Sequence, residues 1–479
     1  MALAALVALA LVLRLVVGHA IGVIETDGVR YIAAARQFQA TGNPFDPLFH
    51  PLYPMLVTLV QWVIGDWETA GRLVATAFGA ALLLPASALA RDVMGRPVAL
   101  LTVALLAVHP ALVRNSSAVL ADSTYAFFLT AGVWLGWRAL AAASRPWLPA
   151  AGVVLGLAYL VRPEATLYLV GLLVVALIVS VRDRTWFGWL PWIGGALVGF
   201  GLVASPYVIY LRRSLGHWTL SGKVAHNLVL DLGAAAGNAP LAHPTAVLTH
   251  TFVNLLAFLK YALPELLPGV LILFFLPGLL RRAREEGWLA REGVLLALAI
   301  PPFGTLAFHT DSRVFLGVLP FVLPFVAAGL IATAGWIAGR PSPRWSAALA
   351  VGVLLLSLAA ALRPVLRPDP TEAVYRQAAR MIAETEAGDV VVMDRKPFVA
   401  YYSGRRYAPL EADVTPAELQ AAARRAGARL VVLDSRALED RPQLAPLVWS
   451  APPPGFDVVR DFETGPFARL RVLRMVERG

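Results

Sequence analysis

Runs of about 18 or more apolar residues recur along most of this chain, a length that suits a bilayer crossing by a helix. The runs are continuous rather than alternating. In lipid the backbone has to close its own hydrogen bonds, so the spanning form they specify is the α-helix. Of the 479 residues 58% are hydrophobic and 15% charged, where soluble domains carry about 25% charged residues. The chain reads as a polytopic membrane protein. It has no cysteine, which excludes thiol catalysis, disulfides and Cys-ligated metals. Its net charge of +10 is nearly all arginine. In a membrane protein that fits loops anchored to anionic headgroups, not nucleic-acid binding.

Eleven spans are expected, at about 3–24, 69–90, 97–113, 118–140, 148–162, 164–181, 188–211, 264–280, 291–308, 313–338 and 345–362. Residues 1–17 have no basic leader and carry Arg14 inside the run, so the first span reads as uncleaved. Residues 51–64 are apolar but short and begin with Pro51 and Pro54, which suits a juxtamembrane or re-entrant helix. Tight basic loops carry Arg91, Arg96, Arg138, Arg145, Arg182 and Arg281, and loops of that kind face the cytoplasm. This puts the amino terminus in the cytoplasm of a cell (inner or plasma) membrane and the 25–68 loop outside. The odd span count then leaves the carboxy-terminal end outside as well.

From about residue 365 the composition changes. Helical periods at 371–387 and 415–427 alternate with strand-like runs at 389–393, 428–435, 456–462 and 468–476. The expected organisation is a transmembrane domain, 1–364, and a small extracytoplasmic α/β domain, 365–479. No glycine-rich phosphate loop follows either of the first two strands. The simplest role for this domain is packing or acceptor docking without chemistry of its own.

Ionisable residues are costly in membrane spans and therefore mark candidate sites. Here they cluster at the outer ends of the expected spans. The stretch 24–54 holds Glu25, Asp27, Tyr31 and His50 among almost pure Leu/Val/Ala neighbours. Asp122 opens a later span. Arg162-Pro163-Glu164 interrupts two spans at one depth, and His309, Asp311 and Arg313 sit between two more. Each has a structural alternative. Asp27 can cap the helix that follows it. Asp122 can pair with Arg114 or cap a helix. Arg162 and Glu164 can form an ion pair at the proline break. Arg72 and Arg313 can be interfacial anchors, and His50 and His309 ordinary interfacial polar groups. Arg14, deep in the first span, should face the bundle, with no partner evident.

The arrangement is more specific than any one residue. Asp27-x3-Tyr31 is followed by a Gly-Asn-Pro turn at 42–44 and by His50-Pro51-x-Tyr53-Pro54. Further on come Arg72, the basic turn 90–96, the Pro110…Asp122 segment, the LVRPEA turn at 160–165, and Arg313 with Pro320 and Pro324. Over most of its length the chain resembles the GT-C superfamily of polytopic glycosyltransferases. The likeness is greatest to the branch of protein O-mannosyltransferases and lipid A aminoarabinose transferases (glycosyltransferase family 39-like), in which an outer carboxy-terminal α/β domain is also typical.

The resemblance implies a sugar donor on a polyprenyl phosphate, an acceptor that is a lipid, glycan or protein, and membrane lipids as surroundings. By position, Asp27 matches the first-loop general base. Asp122 matches a second outer-loop acid on the acceptor and metal side. Arg313 and Arg72 match basic groups near the donor phosphate. A divalent metal ion is compatible with the acids, but no ligand spacing demands one. Family members carry an Asp-Glu pair where this chain has Asp27-Gly28, so Glu25 competes for the role of base. The Tyr31 spacing favours Asp27.

The chemistry is consistent with that reading. A departing phosphate needs a cation, and arginine suits it. Arg313 comes first, with Lys223 and Arg162 in reserve and His50 nearby. A single base opposite the phosphate gives inversion. Glu164, His309 and Asp311, with Tyr31, are supporting groups. The alternative class is a multi-span transporter or lipid flippase. No inverted repeat and no matched pair of broken spans favours it.

Overall fold

The computed structural model describes residues 1–479 except 142–143, 183, 223–243, 285–286, 308–309, 340–342, 440, 451, 466–467 and 477–479. It contains two compact units. One is Met1–Gly18 with Tyr31–Arg363; the other is His19–Arg30 with Pro364–Gly479.

The first unit is helical. Among the described residues, six helices are long and apolar enough to cross a membrane: Ala2–Ala20, Trp67–Met94, Ala165–Arg182, Phe187–Leu215, Ser312–Ile337 and Pro343–Ala361. The number rises to eight if each of two bent pairs is one span. The expected count of eleven spans is not confirmed, and several of the expected spans are interrupted at prolines. The expected span 97–113 is bent by 55° where Arg96–Val108 gives way to Pro110–Ser116. The expected span 264–280 is a 96° pair, Leu248–Leu266 and Gly269–Arg282, broken before Pro268-Gly269. The expected span 291–308 is a helix only over Trp288–Ala297, followed by a 3-10 turn at Pro301–Ala307, because two adjacent prolines cannot continue the i→i−4 ladder. A helix at Pro244–Ala257 occupies part of what reads as outer loop. Leu52–Ile64 is short, as its prolines suggest.

Arg14 acquires its explanation here. Pro110 has no N–H, so the carbonyl of Leu106 loses its helical donor. The guanidinium of Arg14, 1% exposed, fills that gap. It donates from Nη2 to Leu106 O at 3.5 Å, from Nη1 to Ala107 O at 3.0 Å, and from Nε to Ser116 Oγ at 2.7 Å. A charge in the apolar interior is thus spent on satisfying backbone at a helix break, one of the few places where the bilayer tolerates irregular backbone.

Helices approach closely through glycines, as membrane bundles require. A Cβ on Gly152 would overlap the backbone of Ala196, which lets Trp147–Tyr159 lie directly against Trp186–Leu215. A Cβ on Gly278 or Gly329 would overlap a carbonyl of the facing helix, locking Gly269–Arg282 onto Leu319–Ile337.

The second unit is a five-stranded sheet of order β2-β1-β3-β5-β4, from β1 (Val391–Asp394), β2 (Arg406–Pro409), β3 (Leu430–Asp434), β4 (Phe456–Gly465) and β5 (Ala468–Met475). β2, β1 and β3 are parallel; β5 and β4 complete the sheet antiparallel. The β2 strand escapes a sequence reading because it is four residues long, mostly exposed, and ends in proline at the sheet edge. The two faces alternate along β1. Val391 and Met393 pack with the helix Leu419–Arg425, and Val392 packs with the helix Pro370–Thr385. The latter starts on Asp369, whose side chain accepts from Thr371 N at 2.9 Å, with Pro370 in the first turn.

Candidate active site

In the first unit, Pro163 separates the helices Trp147–Tyr159 and Ala165–Arg182. That break holds Arg162 beside the first turn of the helix Asp122–Ala141. The Arg162 guanidinium donates from Nη1 to Asp122 Oδ1 and from Nη2 to Glu164 Oε1 at 3.3 Å, and lies 5.7 Å from the Tyr125 ring centre. The ion pair expected at the proline break is present, and Asp122 joins it; its partner is Arg162, not Arg114. One cation so balances two acids in a largely buried setting. Glu164 Oε2 and the Tyr168 hydroxyl are buried with no hydrogen-bond partner among the described residues, which leaves polar atoms available beside the triad.

Aromatic groups line this layer, and among them Phe49, Tyr159 and Tyr207 were passed over by sequence reasoning. Tyr31 meets Phe49 at 5.0 Å and Tyr53 at 4.9 Å, both edge-on. Tyr53 is anchored by its hydroxyl to Gly71 O at 2.9 Å. His50, 5% exposed, sits edge-on to Tyr159 at 5.1 Å and tilted against Tyr207 at 4.7 Å. Tyr31 and His50 thus belong to an aromatic wall. The signal for it was Tyr and Phe placed among otherwise aliphatic runs.

Arg313 opens a 3-10 turn, Ser312–Val318, capped by Asp311. Asp311 accepts from the Arg313 backbone N–H at 2.9 Å and from Nε at 3.0 Å, so the guanidinium is oriented by its own cap. A cavity of about 300 Å³ adjoins the pair, lined by Tyr261, Glu265, Thr310, Asp311 and Ser312 among others. The turn reaches the acid layer through Gly317, where a Cβ would stand 3.1 Å from Tyr125. Arg313, Tyr125 and Arg162 are therefore linked across elements almost 200 residues apart in sequence. Arg72 donates to Gly18 O and pairs with Glu68 at 2.5 Å, within its own helix. Lys223 and His309 lie outside the described residues.

Glu25 and Asp27 belong to the second unit by their contacts. The helix Thr26–Thr41 carries Asp27 inside its first turn, so Asp27 is not the residue that precedes it as a cap. Tyr31 follows one turn later. The segment just before is held to the α/β sheet unit. Gly22 N donates to Glu372 Oε2 at 2.6 Å, Ile24 N donates to the Tyr402 hydroxyl at 2.7 Å, and Arg376 donates to Gly22 O. Val23 is buried in the core under the helix Pro370–Thr385.

For a divalent metal the fit is poor. Among the described residues no three His, Asp or Glu side chains are grouped to share an ion, and Asp122 and Glu164 converge on Arg162 instead.

In the α/β unit, β1 connects to β2 on one side and the chain then returns to β3 on the other, so β1 and β3 flank a switch point, where open α/β sheets commonly bind ligands. Asp394 and Asp434 end these strands, and both are 1% exposed. Tyr375 donates to Asp434 Oδ2 at 2.6 Å. Burial, and then the neighbouring Asp434, push the Asp394 carboxyl well above the ordinary aspartate range.

Comparison with known proteins fits this geometry. A family model described as dolichyl-phosphate-mannose-protein mannosyltransferase matches residues 46–210. No curated protein matches in sequence. Among solved structures, ArnT from Cupriavidus metallidurans bound to undecaprenyl phosphate superposes with a TM-score of 0.61 at 15% identity, over 99% of this chain and 98% of that one. The archaeal oligosaccharyltransferase AglB from Archaeoglobus fulgidus, solved with an inhibitory peptide and a dolichol-phosphate, gives 0.55 at 13% identity, over 91% and 70%. The chain shares its fold with these structures, and with ArnT over nearly the whole length of both chains.

Proposed function

We propose that this chain is an integral-membrane glycosyltransferase that moves a sugar from a polyprenyl-phosphate donor to a lipid, glycan or protein acceptor on the outer face of the membrane. The observation that carries this reading is the likeness, over essentially both full chains, to a protein solved with undecaprenyl phosphate. The donor's tail would partition into lipid at about 0.8 kcal/mol per buried CH₂ and present the sugar at the membrane surface.

In this reading Asp27 is the base. It takes the proton of the acceptor hydroxyl as that oxygen attacks the anomeric carbon. The bond from that carbon to the phosphate oxygen breaks, the phosphate leaves with the electron pair, and the centre inverts. Arg313, oriented by Asp311, receives the departing phosphate, because a guanidinium can meet a phosphate with two parallel donors. Arg162 is committed to two acids, so its part is to hold Asp122 and Glu164 in place rather than to grip the donor. The amino terminus is cytoplasmic and the α/β domain extracytoplasmic.

Incubating the purified protein with a panel of polyprenyl-phosphate sugars should give turnover with at least one, and turnover with a nucleotide sugar instead would overturn the reading. Asp27→Asn should stay folded, bind donor, and lose transfer by about 10²- to 10⁴-fold. Full transfer by that variant would remove Asp27 from the role and move the test to Glu25→Gln. Arg313→Ala should weaken donor binding more than acceptor binding.

A further inference from the structure

Away from the acid layer, the helices Gly269–Arg282 and Leu319–Ile337 cross backbone to backbone at Gly278 and Gly329. A cavity of about 690 Å³ opens between them, lined by Pro277, Leu280, Arg281 and Arg284 on one side and Ala332, Thr333 and Trp336 on the other. The lining positions recur at three- and four-residue intervals, so each helix gives the groove a single face. The wall is apolar near the glycine crossing and becomes basic and aromatic at the helix ends. Trp336 is 82% exposed, as befits an indole at the level of lipid headgroups.

The charges are distributed unevenly. Arg282 turns away to the buried Glu292. Arg281 and Arg284 have no carboxylate partner among the described residues and face the groove. An arginine in the last turn offsets a helix dipole wherever it points, and that alone would ask for no cavity. Two arginines, a hydroxyl and an indole around an apolar cleft of this size form a compartment for an amphiphile with an anionic head.

We propose that this groove is a binding site for an anionic glycerophospholipid, with its phosphate between Arg281 and Arg284, its glycerol region against Thr333 and Trp336, and an acyl chain along Pro277, Leu280 and Ala332. Basic pockets between membrane helices recognise headgroups in this way. The site is separate from the proposed transfer chemistry and draws on none of its residues.

The test is native mass spectrometry of the full chain, released from mixed micelles holding equal amounts of phosphatidylglycerol and phosphatidylcholine. Phosphatidylglycerol adducts should dominate. In Arg281→Gln/Arg284→Gln the preference should fall by about 30-fold, the equivalent of about 1 kcal/mol for each arginine near the headgroups. An unchanged preference in the double variant overturns the proposal. So does displacement of the lipid by millimolar inorganic phosphate, which would mark a site for free anions. Trp336→Ala should keep the headgroup preference and lower total lipid retention, and loss of neither would place the lipid elsewhere. Circular dichroism and gel filtration of each variant separate loss of binding from loss of fold. Transfer by the double variant, assayed in one fixed detergent, should match the parent protein.

Discussion

Asp122 in the helical unit and Asp394 in the α/β unit are both buried, 6% and 1% exposed, and their neighbours have opposite charge. Asp122 meets Arg162, which also takes Glu164. Asp394 meets Asp434 and a tyrosine. Burial penalises a charge, and a protein has two ways to meet the penalty: supply the counter-charge, or keep the proton. The helical unit takes the first course and so retains a charged layer beside the aromatic wall. The α/β unit takes the second, where burial and Asp434 push the Asp394 carboxyl upward.

The largest break in that comparison is Arg162→Ala. It should cost about 3–5 kcal/mol, because two carboxylates are left buried without a cation. Thermal unfolding in detergent reads this, and Asp122→Asn in the same background should recover part of it. A loss near zero would mean that water already reaches the pair. Arg14→Leu should come next, at about 1–3 kcal/mol, since it returns the carbonyls at the Pro110 break to an unsatisfied state. It should leave donor binding unchanged.

Tyr402→Phe removes the hydroxyl that accepts from Ile24 N and should cost about 1 kcal/mol. Because the bond lies three residues before Asp27, transfer should fall with little change in donor affinity. Unchanged transfer would mean the tether is only structural.

The smallest effect, and the most telling in sign, belongs to Asp394→Asn. A group whose folded-state pKa is raised contributes stability fully below its unfolded value and loses it as pH rises through the folded value. The parent α/β unit should therefore weaken from acid toward alkaline pH. The amide introduced by Asp394→Asn cannot ionise, so the variant should hold its unfolding midpoint over that range and exceed the parent at the alkaline end. Midpoints at three pH values across it decide the matter.

The residues explain why some of this was legible and some was not. Asp122, Arg162 and Glu164 stood out in sequence because each interrupts apolar runs, and the pairing of Arg162 with Glu164 followed from two-residue spacing at a proline. That Asp122 completes the set depends on a contact across 40 residues, which no local pattern encodes. Arg14 was conspicuous by cost alone; among its partners are carbonyls beside a proline 96 residues later. The alternative reading of Asp27 as a helix cap arose because the glycine after it suggested a later start, and the helix begins at Thr26.

By itself the sequence determined that the chain crosses a membrane repeatedly, that a small α/β unit ends it, and which polar residues stand out from the apolar runs. Hydropathy and periodicity are local and survive without coordinates. Tertiary structure decided which helices are whole and which bent, which acid meets which arginine, and that residues 19–30 are held by the α/β unit. Those outcomes depend on backbone hydrogen bonds left open at prolines and on contacts between distant segments, which form only when the chain has closed on itself.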